Sequence, residues 1–181
     1  MRRSRARRST TGLLALLCCA LLAGKVAAQQ VSEQAVKAGF VYNFIKFTQW
    51  PPQPESDSHR LQICATSDKP LEGHIARLSG RNVGARTIEF RNNVGVNGWA
   101  GCDVLFIAQS EEHQIDAYLH SLGNAPVLSV GEAAGFIKSG GMIGLRMQDS
   151  RVKFDVNLGS AQRAGLQLNS QMLKLAGEVL K

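Results

Sequence analysis

Between Ser32 and Phe47 the apolar residues Ala35, Val36, Phe40, Val41, Phe44 and Phe47 recur at helical spacing, and Trp50-Pro51 ends the run. The pattern predicts an amphipathic opening helix whose aromatic stripe is buried in the chain's own core rather than offered to a partner. Pro51 to Ser58 is a proline and polar bridge. Beyond it, Arg60 to Ala65 alternates as a strand, and Leu71, Ile75 and Leu78 mark one face of a helix. Arg86 to Arg91 alternates as a half-exposed strand. Val104-Leu105-Phe106-Ile107-Ala108 is continuously apolar, which predicts a strand covered on both faces. A helix is expected at once, with Ile115, Tyr118, Leu119 and Leu122 on its packed side, followed by a buried strand, Val127 to Val130, opened by Pro126.

Strand, helix, buried strand, helix, buried strand is the order of parallel pairing with right-handed crossovers. The last third breaks it. Met142–Met147 and Arg151–Asn157 are separated by Gln148-Asp149-Ser150 alone, too short for a crossover, so an antiparallel hairpin follows. Val152, Phe154 and Val156 alternate there with Lys153, Asp155 and Asn157, leaving one face wet. Two short helices are expected to close the chain. The last takes Asn169 or Ser170 as N-cap and packs Met172, Leu173, Ala176, Val179 and Leu180. The expectation is an α/β fold: a single domain with a mixed sheet, parallel strand-helix-strand units, a C-terminal antiparallel hairpin and flanking helices.

The first 28 residues change how composition is read. Arg2, Arg3, Arg5, Arg7 and Arg8 precede an apolar run from Leu13 to Ala23, and Val26-Ala27-Ala28 offers small residues to a signal peptidase. Residues 1–28 read as a signal peptide cleaved between Ala28 and Gln29, with 29–181 as the exported domain. Lys25 closes the apolar run well short of the roughly 20 residues a membrane span needs. Ser9-Thr10-Thr11 argues against a twin-arginine signal at Arg7-Arg8. The placing of Cys18 and Cys19 inside the apolar run argues against lipidation. The whole chain carries a net charge of +7, but six of its 21 Lys and Arg residues precede Gln29 and none of its 14 acidic residues does. About +1 remains on the exported part, and no basic cluster interleaved with aromatics is left to hold nucleic acid.

Cys18 and Cys19 leave with the leader, so Cys64 and Cys102 remain. An even pair in an exported chain is a disulfide candidate, and two buried free thiols are the other reading. If their strands are adjacent and parallel, Cys64 lies near the end of one and Cys102 just before the start of the other. Their Cα atoms then stand beyond the roughly 7 Å that a bridge allows, unless the strands are staggered, are not neighbours, or the bond forms only after movement.

Enzymatic signatures are absent. There is no Gly-x-Ser-x-Gly elbow, His-Glu-x-x-His helix, Cys-x-x-Cys pair or phosphate-cradling glycine loop. His113 and His120 lie seven residues apart, about 10 Å along a helix, too far to share one metal ion, and read as solvated surface histidines. Gly131, Gly135, Gly140 and Gly141 crowd one loop and read as turn formers, with anion binding as the other reading. Asp103, Glu111 and Glu112 flank a strand end with no nucleophile to serve.

Ala35 to Pro51, with its core Val41-Tyr42-Asn43-Phe44-Ile45-Lys46-Phe47-Thr48-Gln49-Trp50-Pro51, resembles the opening motif of the YfiR/HmsC-like family of small periplasmic proteins. Gly135-Phe136 through Gly140-Gly141-Met142-Ile143, then Val152 to Leu158, Ala164-Gly165-Leu166 and Leu173 to Ala176, is similar to its closing motif. The resemblance implies a periplasmic, non-enzymatic repressor without cofactor or metal. It also implies partners: the periplasmic domain of a membrane diguanylate cyclase (YfiN-like), whose inhibition keeps cyclic di-GMP low and governs biofilm formation, and an outer-membrane lipoprotein (YfiB-like) that draws the repressor away. A homodimer is left open. Cys64 and Cys102 match one cysteine pair tied to redox sensing in the family, whereas a second pair, expected near Phe136 to Gly144, has no counterpart here. The rival function is a periplasmic small-molecule sensor module serving a sensor kinase, since open α/β sheets offer a crevice beyond their strand ends.

Overall fold

The computed structural model describes residues 32–181 apart from 53–58, 68 and 93. The leader, with its cleavage point between Ala28 and Gln29, lies outside the described residues, as does most of the proline and polar bridge. Val31–Lys181 is one compact unit.

Helix α1 spans Glu33–Lys46. Ser32 caps it, its hydroxyl accepting from the Ala35 N–H at 3.2 Å, while Glu33 and Lys46 complement the two ends of the helix dipole. The helix is less one-sided than its spacing suggests. Val41, Phe44 and Ile45 are buried, Phe40 packs from the flank, and Val36 is exposed. The stripe does pack inward: the Phe44 and Phe154 rings meet edge to face with centroids 4.9 Å apart, and Phe40 lies 5.8 Å from the same ring.

The remaining elements are β1 (Thr48–Gln49), β2 (Arg60–Ala65), α2 (Pro70–Ala76), β3 (Asn82–Val83), β4 (Arg86–Arg91), β5 (Val104–Ile107), α3 (Ile115–Leu122), β6 (Leu128–Gly131), β7 (Ile143–Gln148), β8 (Arg151–Asn157), α4 (Leu158–Arg163), β9 (Gln167–Leu168), α5 (Ser170–Leu173) and β10 (Val179–Leu180). Eight strands form one sheet in the order β10-β8-β7-β6-β5-β2-β4-β3, and β1 pairs with β9 separately. Strands β4, β2, β5, β6 and β7 are mutually parallel, with β3 antiparallel to β4 and β8 antiparallel to β7. From β2 the chain moves one way to β4 and then the other way through β5, β6 and β7. The order therefore reverses between β2 and β5, the place where doubly wound sheets open a crevice.

Alternation along the strands sends side chains into two cores. Leu61, Ile63, Phe106, Leu128 and Val130 face α1 and α2. Cys64, Leu105 and Ile107 face α3 and the 3-10 turns before it. As expected of a strand covered on both sides, all four residues of β5 are buried.

Three expectations need correction. Between β5 and α3 lies a 3-10 segment, Gln109–Gln114, and not the start of an α-helix. The β7–β8 hairpin pairs Gln148 with Arg151, so its turn is the two residues Asp149 and Ser150, at φ 49° and 57°; such turns match strand twist but require φ above zero at both positions. The last helix stops at Leu173, and Val179–Leu180 form β10, parallel to β8. Gly177 makes that docking feasible. Its N–H donates to the Phe154 carbonyl at 2.9 Å, and a Cβ there would stand 2.5 Å from Arg146 Nη2.

Candidate functional site

Adjacent parallel strands β2 and β5 set the register Ile63 with Val104 and Cys64 with Leu105. An extended chain three residues before Leu105 would lie about 11 Å from Cys64. The observed Cα separation of Cys64 and Cys102 is 5.9 Å, and the two are joined as a disulfide. The strands are neighbours and staggered, β5 starting opposite Ile63 rather than Arg60, and a backbone bend at Asp103 closes the remaining gap between Cys102 and Cys64.

Asp103 holds that bend. Its N–H donates to the Gln62 carbonyl at 2.8 Å, and its carboxylate accepts the Gln62 N–H at 2.7 Å, standing in for the ladder acceptor the turned chain no longer supplies. The same carboxylate pairs with Arg86 at 2.6 Å, where only 8% of the Asp103 side chain is exposed. Trp50 Nε1 donates to the Asp103 carbonyl at 3.2 Å, and the Arg86 guanidinium lies 5.8 Å from the Trp50 ring centroid. Asp103 therefore ties the chain after α1, strand β4 and the start of β5 into one joint. It is a structural carboxylate.

A second group covers the bridge. Trp99, in the 3-10 segment Val96–Gly101, is buried and donates Nε1–H to the Val94 carbonyl at 2.9 Å. Its ring meets Tyr118 of α3 edge to face, 5.0 Å between centroids and 86° between planes. The Tyr118 hydroxyl donates to Glu111 at 3.0 Å. Burial, then the bond to Glu111, raise the Tyr118 pKa above its ordinary value. Cys64 is fully buried and Cys102 nearly so. Thiol exchange needs access to sulfur, so a reductant reaches this bond only after the structure around it opens.

Other sequence candidates are placed apart from the bridge. His113 and His120 are exposed, and among the described residues no group of three or more His, Cys, Asp or Glu side chains could hold a metal ion. Glu112 is exposed. Within the glycine loop, Gly135 and Gly140 adopt φ 75° and 103°, as turn formers should. Gly131 and Gly141 have a different role. They sandwich the buried Phe136 ring: a Cβ on Gly131 would come within 2.5 Å of its Cε2, and one on Gly141 closer still. The loop thus packs a phenylalanine where an anion-binding loop was the other reading.

Sequence reading missed two buried polar groups. Lys37 of α1 forms ion pairs of 2.5 Å with both Glu132 and Glu33. Burial lowers its pKa, but the two carboxylates outweigh that and hold it above the ordinary lysine value. Glu72 is 1% exposed; Ser67 donates to its Oε1 at 2.9 Å, and its Oε2 has no partner among the described residues. The one local signal for Lys37 was a lysine beside the apolar stripe four residues after Glu33. For Glu72 there was none.

A family model described as YfiR/HmsC-like matches residues 34–177. Among solved structures, a conserved domain protein from Vibrio cholerae aligns at TM-score 0.52 and 9% identity, over 82% of this chain and 60% of that one. An ABC domain in complex with L-Trp from Streptococcus pneumoniae aligns at TM-score 0.48 and 13% identity, over 66% of this chain and 55% of that one. The chain thus spans somewhat more than half the length of these solved proteins, and the first likeness concerns fold alone.

Proposed function

The chain belongs to the YfiR/HmsC-like family, periplasmic regulators in cyclic di-GMP signalling, and on that premise we propose that it inhibits a membrane-bound diguanylate cyclase by binding its periplasmic domain. The observation that carries this reading is the reach of the family match, from α1 to Gly177, which takes in every described element except the edge strand β10. No described helix is long and apolar enough to cross a membrane, which suits a regulator that meets a membrane enzyme from outside. Control then works by population shift: the regulator lowers output only by as much as it prefers the inactive cyclase over the active one.

The Cys64–Cys102 bridge gives that preference a redox input. It ties the end of the Trp99 segment to β2 through Cys102, and loss of the bond frees that segment to move. A YfiB-like outer-membrane lipoprotein acts in this scheme as a competitor that removes the regulator. The test is to produce the exported protein in cells carrying a YfiN-like cyclase and to measure cyclic di-GMP. A fall relative to empty-vector cells, lost when the cyclase's periplasmic domain is deleted, is the expected result. An unchanged level in cells shown to contain the folded, exported protein would refute the proposal.

A further inference from the structure

Beside α3 a cavity of about 500 Å³ is bounded by the segment leading into β7 and by α4, within the size range of small-molecule sites. Its walls combine apolar side chains, Leu119, Leu122, Val127 and Met142, with a small polar group from Ser129, Ser160 and Arg163. We propose that this cavity binds a small organic monocarboxylate, its carboxylate held by Arg163 and the serine hydroxyls and its apolar body lying against the leucines and Met142.

Arg163 supplies the charge. Arg86 and Arg146 are ion-paired with Asp103 and Asp155, but no carboxylate pairs with Arg163 among the described residues. It donates Nη2–H to Ser160 Oγ at 2.8 Å, and its other four N–H donors meet no acceptor among the described residues. Arg163 is exposed, yet a Cβ on Gly159 would stand 3.2 Å from its Nη1, so the guanidinium lies back along its own helix.

The hydroxyls are the second, independent observation. Ser129 is 1% exposed and interrupts an otherwise apolar strand; Ser160 is 7% exposed. Each accepts one hydrogen bond, Ser129 from the Met142 N–H at 3.0 Å and Ser160 from Arg163. Each therefore retains a proton with no acceptor among the described residues, and in a weakly polar setting such a donor is worth more to a ligand than in water. Asp116, at the exposed rim of the same cavity, sets the charge limit. Asp116 opposes any anion there, and a phosphate dianion about twice as strongly as a monocarboxylate at the same distance.

The test titrates the exported protein with acetate, butyrate and hexanoate at constant ionic strength, following backbone amide shifts, with inorganic phosphate as the dianion arm. Saturable shifts near Ser129 and Ser160, tightening from acetate to hexanoate, are expected. Arg163→Gln, at an exposed position that leaves folding intact, should weaken hexanoate about tenfold or more, and Arg151→Gln, on the hairpin turn, should not. Ser129→Ala should weaken it by a smaller factor. Absence of saturation at tens of millimolar, phosphate binding as tightly as hexanoate, or an unchanged affinity in Arg163→Gln would each overturn the assignment. These readouts do not involve a cyclase, so their failure leaves the regulator reading standing.

Discussion

Reducing the Cys64–Cys102 bond in the folded protein removes one covalent constraint. The two cysteines are 38 positions apart, so the closed loop has about 39 residues, and the chain-entropy relation assigns it about 4 kcal/mol at 25 °C. The native side offers little to reduce that figure, because the bend at Asp103 is held by its bonds to Gln62 and its pair with Arg86 whether or not the sulfurs are joined. A domain of this size is stable by about 5–15 kcal/mol, so the reduced protein should still fold, with a much smaller margin. Urea unfolding followed by circular dichroism, with and without a thiol reductant strong enough to open the bond, measures the difference. We expect a loss of about 3–4 kcal/mol, together with a larger denaturant slope for the reduced form, since its unfolded chain exposes more surface. A loss below about 1 kcal/mol, with free thiols verified by mass, would refute the argument that the bridge stabilises by restraining the unfolded chain.

Three further outcomes follow from other parts of the fold. Gly141→Ala drives a Cβ into the Phe136 ring and should cost about 2–3 kcal/mol, read as a drop in melting temperature; an unchanged melt would show that the ring is not confined. Ser150→Gly relieves a positive φ in the hairpin turn and should stabilise by up to about 1 kcal/mol in urea titrations, whereas destabilisation would contradict the turn geometry. Lys37 and Tyr118 both have pKa values raised above their ordinary 10.5 and 10.0, so the folded state holds these protons more tightly than the unfolded chain. Their contribution is complete below about pH 10 and is lost as pH rises through the folded values. Stability should therefore fall steeply on the alkaline side, and Lys37→Met with Tyr118→Phe should flatten that fall; a parallel decline in the double variant would exclude these two groups as its source.

Much of the sheet was legible along the chain because its strands either alternate, as β2 and β4 do, or run unbrokenly apolar, as β5 does. Arg60–Ala65 and Arg86–Arg91 coincide with β2 and β4, and Val104–Ile107 was recognisable from its unbroken apolar run. What escaped notice was decided by partners far off in sequence. The two-residue strands β1, β3, β9 and β10 have no periodicity of their own: β3 and β10 exist because the longer β4 and β8 offer them a ladder, and β1 and β9 because they meet each other across the fold. Val179 and Leu180 carry the spacing of a helical face, yet the bonds that Gly177 and Glu178 make to β8 turn them into a strand. The cysteine pair was visible as a pair. Its closeness depends on Asp103 reaching Gln62, 41 positions earlier, and local pattern does not encode such a contact. Arg163 gave no signal either, since an arginine near a helix end ordinarily serves the helix dipole.

The central claim, that this chain regulates by gripping a membrane cyclase outside the cytoplasm, is tested most directly by calorimetric titration of the oxidised exported protein into the purified periplasmic domain of a YfiN-like diguanylate cyclase. The account predicts a saturable complex with a dissociation constant of about 1 μM or tighter, weakened when Cys64–Cys102 is reduced. No measurable association of either redox form, with both proteins folded, would contradict it.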